Sequence, residues 1–404
     1  MRKVLLHVGA PKTGTSFVQD LLFQNRERLA EEGILYPAHR FDAHFLAALD
    51  LMQLPWGGLE QQAVGAWDRL AAEVREWPGT VIISHEILAT ASKDHARRAR
   101  ESFGPDTEVH VVASVRDLVR QVPAEWQENV KHRRTLRYQQ FLQQIMDPMA
   151  TGTIPTWFWG VQDIPAILDR WAEELPPERV HVVTVPRPGA PPTLLWERFA
   201  SVFGLDAAAF DTSTVERANP SLGVAETATL RQLNERLNGR LANEHYREFV
   251  RELLAHRTLS RRPRKVPLRL PDEVHDWAVE LSETWIRELG ARGYDVVGSL
   301  DDLRPGPEHE PFSDPDRPRQ RLVADSALHG LEVAVLRMAE LRQEVDGLHG
   351  RIREVEVERD IARSEIGWSL RKRRELIAKA DERRSTRFML RGYRAVKRRV
   401  RRSG

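Results

Sequence analysis

The sequence predicts a three-layer α/β fold in which helices cover both faces of a central parallel sheet. Four short runs rich in Val, Ile and Leu are typical of buried parallel strands, and they occupy residues 4–8, 80–83, 108–113 and 180–185. Amphipathic stretches lie between them, as expected when a helix returns the chain to the next parallel strand. Because parallel strands end at one shared edge, functional groups are expected where each run ends.

Composition restricts the class of protein. The 404 residues are 41% hydrophobic, which is enough for a substantial core, and cysteine is absent. The lack of cysteine excludes a disulfide framework, thiolate metal sites and a cysteine nucleophile, and it fits a reducing compartment. No apolar run approaches the length of a membrane span, and the first run is too short for a signal peptide. We therefore expect a cytoplasmic protein.

The first apolar run leads into the loop GAPKTGTS at residues 9–16, and an amphipathic stretch follows it. A glycine-bearing loop between a strand and a helix presents backbone N–H groups and the positive end of the helix dipole to an anion. A Walker A loop reads G-x-x-x-x-G-K-[ST]. Here both glycines are kept, but the lysine stands at Lys12, two residues before the second glycine. An ordinary nucleoside triphosphatase is therefore not expected.

The string PKTGTSF at residues 11–17 resembles the 5′-phosphosulfate loop of sulfotransferases that use 3′-phosphoadenosine 5′-phosphosulfate (PAPS). The resemblance extends over roughly residues 1–300 and implies a P-loop-NTPase-like sheet, PAPS as the sulfuryl donor and no metal. In this family the lysine neutralises the leaving oxygen, and an aromatic residue often lies on the adenine. The residues that the resemblance assigns to the donor are Pro11, Lys12, Thr13, Gly14, Thr15, Ser16 and Phe17.

The second apolar run ends at Ser84-His85-Glu86, which should emerge beside the phosphate loop. The position resembles the one at which some sulfotransferases carry a glutamate base. Glu86 is the preferred base for the acceptor hydroxyl, and His85 is the alternative base or an orienting neighbour. A purely structural role for Glu86, at the N-terminus of the following helix, is the competing interpretation.

The third run ends at Ser114 and Arg116, which resembles the 3′-phosphate motif of the family. That motif has an arginine at the strand end and a serine about eight residues later. Arg116 fits, because a guanidinium pairs two phosphate oxygens at once, but Ala124 occupies the serine position. Ser114 or Arg120, or a later loop, would have to supply the missing contact. A surface salt bridge is the competing role for Arg116.

Other residues are candidates for contacts with the donor or the acceptor. Asn219 and Ser221 belong to an N-x-S-L string similar to one in bacterial sulfotransferases, and they are candidate donor contacts or helix N-caps. Trp157 opens a W-F-W string that forms either the wall of a sugar groove or a plug between helices. His44 and Trp126 are also candidate acceptor contacts, with core positions as the alternative.

The C-terminal part has a different composition. Residues 368–404 contain 15 Lys and Arg against 3 Asp and Glu, whereas the first 367 residues contain 46 against 56. The predicted organisation is a sulfotransferase domain at 1–303, a proline-rich linker at 304–325, a coiled coil at 326–367 and a basic helical tail at 368–404. The coiled coil is expected to self-associate. The tail is expected to contact an anionic membrane surface or to remain solvated, without binding a specific nucleic acid.

The predicted function is transfer of a sulfuryl group from PAPS to a hydroxyl or amine of a carbohydrate or glycolipid acceptor. A P-loop kinase of similar fold is disfavoured by the displaced lysine and by the lack of an apolar strand that ends in a metal-binding Asp. A catalytically degenerate nucleotide-binding scaffold is a further alternative, and Ala124 is the residue that favours it.

Overall fold

The computed structural model describes residues 2–215, 221–306, 311–382 and 384–400; Asn219 lies outside them. Its centre is a six-stranded sheet of order β2-β3-β1-β4-β5-β6 in which every neighbouring pair is parallel. The predicted α/β class with a central parallel sheet is confirmed. The strands are β1 Arg2–Gly9, β2 Ile34–Leu35, β3 Thr80–Ser84, β4 Thr107–Val115, β5 Val180–Thr184 and β6 Asp295–Val297.

Helices connect the strands and cover the sheet. A 3₁₀ helix spans Glu86–Thr90 directly after β3, and a π-helical stretch spans Tyr246–Thr258. The α-helices of the described residues are α1 Thr15–Gln24, α2 Arg26–Glu31, α3 Ala43–Met52, α4 Glu60–Ala63, α5 Ala66–Glu76, α6 Lys93–Glu101, α7 Leu118–Lys131, α8 Tyr138–Met146, α9 Thr153–Gln162, α10 Ile164–Trp171, α11 Leu194–Phe203, α12 Val224–Leu237, α13 Asn243–His245, α14 Asp272–Ala291, α15 Gln320–Glu382 and α16 Arg384–Val400.

The sheet is apolar on both faces, which gives the three layers. Val4, Leu6 and Val8 of β1 pack into a large core with α3, α5 to α10, α12 and α14, whereas Leu5 packs with α1, α2 and α11. Successive side chains of a strand point to opposite faces, so a strand covered on both sides must be apolar at nearly every position. This explains why the strands appear in the sequence as continuous apolar runs.

Strand order positions the functional edge. β1 lies between β3 and β4, with His7 opposite Ser84 on one side and opposite Val112 on the other. After β1 the chain forms β3 on one side of this strand and then β4 on the other side. The carboxyl end of β1 is therefore a topological switch point of the sheet. Ligands of α/β proteins bind at such points. The loop at residues 9–16 and the ends of β3 and β4 therefore meet there.

The chain divides into two compact units, residues 1–331 and 332–404. In the second unit, apolar side chains such as Leu348, Ile352 and Val355 are exposed along α15, so the long helix is present and its pairing in a coiled coil stays a prediction. No helix in the described part of the chain is both long enough and apolar enough to cross a membrane.

The proline-rich segment is attached to the first unit through its described residues. The Asp316 carboxylate accepts hydrogen bonds from the backbone N–H groups of Tyr138 at 3.0 Å and Gln139 at 2.9 Å, at the start of α8. Val323 packs against Ala225 and Ala228 of α12. Composition predicts a linker here because the segment can bury little apolar surface, and a carboxylate at a helix N-terminus can hold such a segment without that burial.

Candidate active site

A buried row of polar side chains supports the phosphate loop from below. His7 of β1 bridges the hydroxyls of Ser84 at 2.8 Å and Ser114 at 3.1 Å, so it joins the ends of three neighbouring strands. Ser114 donates to the Gly9 carbonyl at 3.0 Å and lies 2.5 Å from the Thr13 hydroxyl. Burial lowers the pKa of His7 to about 4, so its ring is neutral. The row therefore fixes the loop to the sheet.

Ser114 was expected to contact the 3′-phosphate of the donor, and its position in the structure does not allow that contact. Its side chain is fully buried beneath the loop and its hydroxyl is used by three protein groups, so it holds the cradle and does not reach a ligand. The Thr13 hydroxyl is engaged in the same way, because it donates to the Ala10 carbonyl at 2.6 Å. Thr13 can still offer its backbone N–H to an anion.

The loop has the conformation of an anion cradle. Gly14 precedes α1 with φ +88°, a conformation that favours glycine, and a Cβ at this position would lie 2.5 Å from Leu195 Cδ2 and would push that side chain aside. No described side chain caps α1. The N–H groups of Thr15 and Ser16, at the start of α1, are therefore available to a bound anion. Gln121 of α7 steadies the loop by donating to the Pro11 carbonyl at 2.5 Å.

Lys12 is the charged centre of the site. It has φ +63°, an uncommon conformation for a residue with a side chain, and its Nζ lies 2.6 Å from Glu128 Oε2. Glu128 also contacts His132 at 3.1 Å, Arg251 at 3.3 Å and Lys131 at 3.9 Å. Burial opposes ionisation of Glu128, but the Lys12 charge, the hydrogen bond with His132 and the Lys131 charge hold its pKa well below the usual range. Glu128 is therefore a carboxylate with several partners.

Glu86 and His85 emerge at the end of β3, as the sequence predicts from the strand end. Gln19 of α1 donates to Glu86 Oε2 at 3.0 Å. Burial raises the pKa of Glu86, but His85, Gln19 and Lys12 outweigh it, and the pKa is lowered. Burial lowers the pKa of His85, whose Nδ1 accepts from the Ile87 N–H at 3.3 Å. Glu86 is thus ionised and can accept a proton, whereas His85 could do so only at Nδ1 after releasing the Ile87 N–H, and the choice of base stays open.

Glu125 is a titratable group of the site that the sequence reasoning missed. It is 2% exposed, and burial, reinforced by Glu128 and opposed by Lys12, raises its pKa to about 7. Gln162 donates to its Oε1 at 2.9 Å and accepts from Gln121 at 2.8 Å, so Glu125 is connected to the loop. The sequence contains a pattern that could have indicated this group. Glu125 follows Gln121 by four residues and precedes Glu128 by three, so all three side chains share one face of α7.

Arg116 and Arg120 lie on the other side of the loop, after β4. Arg116 donates to the Lys12 carbonyl at 3.1 Å, and Arg120 pairs with Asp117 and donates to the Pro186 carbonyl at 3.3 Å. Burial and the neighbouring Arg120 lower the pKa of Arg116 to about 10. Within the described residues, Arg116 Nε and Arg120 Nη2 are buried without a hydrogen-bond partner. Other arginines of the described residues, such as Arg133 and Arg231, also have a buried nitrogen without a partner, so what distinguishes Arg116 and Arg120 is their place beside the loop, where an anion would satisfy them.

Two predicted acceptor contacts belong to the core. Trp126 is fully buried, and its indole N–H donates to the Leu136 carbonyl at 3.0 Å, so the ring cannot contact an acceptor. His44 is 3% exposed, and its Nδ1 accepts from the Ser84 N–H at 3.2 Å, so it holds the end of β3 from behind. Burial lowers the pKa of His44 to about 3. The predicted pocket positions of both residues are wrong, because both side chains are buried in the core.

The remaining candidates are more exposed. Phe17 is partly buried against the core that contains α1 and α11, and its contact with adenine stays a prediction. Ser221 is exposed, and the next residue, Leu222, is fastened to α7 because its N–H and carbonyl pair with the Gln127 amide at 3.1 and 2.9 Å. Trp157 is partly buried and lines a cavity of about 640 Å³.

Comparison with known proteins adds little to this site. No family model matches the chain, and no curated protein matches it. Among solved structures, a sulfotransferase from Alicyclobacillus acidocaldarius is 20% identical, with a TM-score of 0.38, over 60% of this chain and 98% of that chain. Because this likeness is weak, the functional proposal below rests on the residues of the site.

Proposed function

We propose that the chain is a sulfotransferase that moves a sulfuryl group from PAPS to a hydroxyl or amine of an acceptor. The observation that carries the proposal is the position of Lys12. Its ammonium lies in an uncapped strand-to-helix loop and acts electrostatically on Glu86, while its carbonyl accepts from Arg116. One residue thus connects the cradle, the candidate base and the second anion site.

The residues fit such a donor. The N–H groups of residues 13–16 would hold the 5′-phosphosulfate, and Phe17 would lie beside the adenine. Arg116 Nε and Arg120 Nη2, which have no partner among the described residues, would hold the 3′-phosphate. Arg120 is thereby the candidate to replace the serine that is absent at Ala124. When bound, PAPS supplies an activated sulfuryl group on a phosphate leaving group.

The protein's part in the reaction is positioning and charge. The Lys12 ammonium neutralises negative charge that develops on the leaving oxygen, and Glu86, or His85 in its place, takes the proton of the acceptor group. Lys12 must turn away from Glu128 to do this. Glu128 keeps His132 and Arg251 as partners when Lys12 turns, so no carboxylate is left unpaired.

The test begins with binding. Calorimetry should show that the wild type binds adenosine 3′,5′-bisphosphate more tightly than ATP with Mg²⁺, and that Lys12→Ala and Arg116→Ala lose this preference. Lys93→Ala is a matched control, because Lys93 lies on α6 and pairs with Glu173 at 3.0 Å. Tight ATP–Mg²⁺ binding in place of the bisphosphate would overturn the proposal in favour of a kinase.

Turnover is measured with labelled PAPS and a cell-envelope extract as acceptor. Transfer that is lost in Glu86→Gln but retained in Lys93→Ala supports the assigned base. If transfer survives in Glu86→Gln and is lost in His85→Asn, the histidine is the base. Bisphosphate binding without transfer to any acceptor would favour the non-catalytic scaffold.

We also propose that α16 contacts an anionic membrane surface. Met389, Tyr393 and Val396 are exposed at helical spacing, among basic residues such as Arg391 and Arg394. An apolar helix face flanked by arginines suits the boundary between lipid headgroups and acyl chains. Exposed apolar side chains on α15 similarly support the proposal that this helix self-associates.

A further inference from the structure

A row of aromatic rings leads away from the candidate base. The Phe45 ring lies 5.1 Å from His85, Trp56 lies 5.6 Å from Phe45, and Trp157 lies 5.8 Å from Trp56. Phe45, Trp56 and Trp157 are each only partly buried. Large rings that remain accessible beside a catalytic edge are candidates for ligand contact. None of these three is needed by the donor site proposed above.

Two glycines and one carboxylate shape the loop that carries Trp56. Gly57 and Gly58 follow it with φ +59° and +97°, which forms a turn that glycine permits. The Glu60 carboxylate accepts hydrogen bonds from the N–H groups of Trp56 at 2.8 Å and Gly58 at 2.9 Å. These hydrogen bonds fix the backbone that carries the indole, and the indole itself packs partly against the main core while keeping an accessible face. Such a ring is pre-organised for a partner outside the chain.

The row ends at the cavity of about 640 Å³ that Trp157 lines. The residues that line it include Trp157 and four with hydroxyl groups, Thr90, Ser92, Thr153 and Thr156. The Thr90 hydroxyl donates to the Ile87 carbonyl at 2.8 Å and the Ser92 hydroxyl accepts from the His95 N–H at 3.2 Å. Thr90 is the last residue of the 3₁₀ helix that begins with Glu86, so the cavity starts about 8 Å from the candidate base along that helix axis. The candidate base thus lies at the start of this short helix, and the cavity lies at its end.

The lining suits a neutral polyhydroxylated ligand. Arg170 is the charged residue among the described lining side chains, and its Nη2 already donates to the carbonyls of Ala89 at 2.7 Å and Gly160 at 3.1 Å. Arg170 is thus a single guanidinium, and it offers an anionic polymer only one charge to pair with in this cavity. Indole faces and hydroxyl groups together match the apolar face and the polar edges of sugar rings.

We propose that the row Phe45, Trp56 and Trp157 and the cavity beyond it form an acceptor subsite for a neutral carbohydrate chain. One sugar hydroxyl reaches Glu86, and the following rings lie along the tryptophans into the cavity. This inference rests on the proposed sulfotransferase activity, which supplies the reaction at Glu86. It assigns the acceptor class and two residues, Trp56 and Trp157, that set the affinity for it.

The test uses maltohexaose, cellohexaose, laminarihexaose and chitin hexasaccharide as acceptors with labelled PAPS, and ligand-observed NMR in the presence of adenosine 3′,5′-bisphosphate. We expect at least one hexasaccharide to bind and accept sulfate with a KM at least tenfold lower than that of its monosaccharide. Trp157→Ala and Trp56→Ala should raise the hexasaccharide KM about tenfold. Both variants should bind the bisphosphate as the wild type does.

Conservative and distant substitutions separate binding from folding. Trp157→Phe should recover much of the affinity that Trp157→Ala loses, and Trp368→Ala, an exposed tryptophan of the second unit, should change neither measurement. If the bisphosphate binds but no hexasaccharide binds or is sulfated, the carbohydrate subsite is refuted while the sulfotransferase proposal stands. An equal loss of bisphosphate binding in the tryptophan variants would show a structural role instead, and absent bisphosphate binding in the wild type would refute the underlying function.

Discussion

Glu125→Gln is expected to stabilise the protein at alkaline pH and not at acid pH. Burial raises the pKa of this carboxyl from 4.5 to about 7, so the folded protein holds it protonated where the unfolded chain does not. The stability of the wild type should therefore fall as the pH rises from 4.5 to 7. With 1.36 kcal/mol for each pKa unit, the full effect is about 3 kcal/mol above pH 7. Glutamine imitates the protonated carboxyl and removes this dependence.

The measurement is urea unfolding of wild type and Glu125→Gln at several pH values from 4.5 to 8, followed by tryptophan fluorescence. The difference in the free energy of unfolding should be near zero at pH 4.5 and grow to about 3 kcal/mol at pH 8. Glu280→Gln, at an exposed position of α14, is the matched control and should show a small difference at every pH. A difference independent of pH would refute the reasoning, because Glu125 would then be ionised in the folded protein.

Three other predictions concern the loop and the tail. Gly14→Ala should weaken bisphosphate binding more than tenfold in calorimetry, because the new Cβ meets a leucine at 2.5 Å and φ is +88°. Gly33→Ala, with φ +83° and no atom within 4 Å, controls for the backbone effect alone. Glu128→Gln should tighten bisphosphate binding severalfold at low salt, because Lys12 loses its 2.6 Å partner. Met389→Asp should weaken sedimentation with phosphatidylserine vesicles severalfold, because its exposed side chain would no longer enter the lipid.

Each of these predictions has an outcome that contradicts it. Equal losses in Gly14→Ala and Gly33→Ala would mean that binding responds to general destabilisation and not to the cradle. Unchanged affinity in Glu128→Gln would show that Lys12 does not need to leave its partner. Equal binding of Met389→Asp to anionic and neutral vesicles, at the wild-type level, would remove α16 from membrane contact.

The parts of the site that lie close together in the sequence were predictable. An apolar run, two glycines and Lys12 within one segment indicate a strand, an anion loop and a helix N-terminus, because each depends on local backbone geometry. The positions of Glu86 and Arg116 followed from a rule about strand ends, which requires only that the strands be parallel. The structure has both at the predicted edge.

The partners of these residues were decided by tertiary structure. Glu128 lies 116 residues from Lys12, and Trp56 meets Trp157 across 101 residues, so no local pattern could pair them. The sequence by itself determined which elements form and where an anion could bind. Only the packed structure decided that Trp126 fills the core whereas Trp56 remains accessible, because helical spacing specifies a face of a helix but not what covers that face.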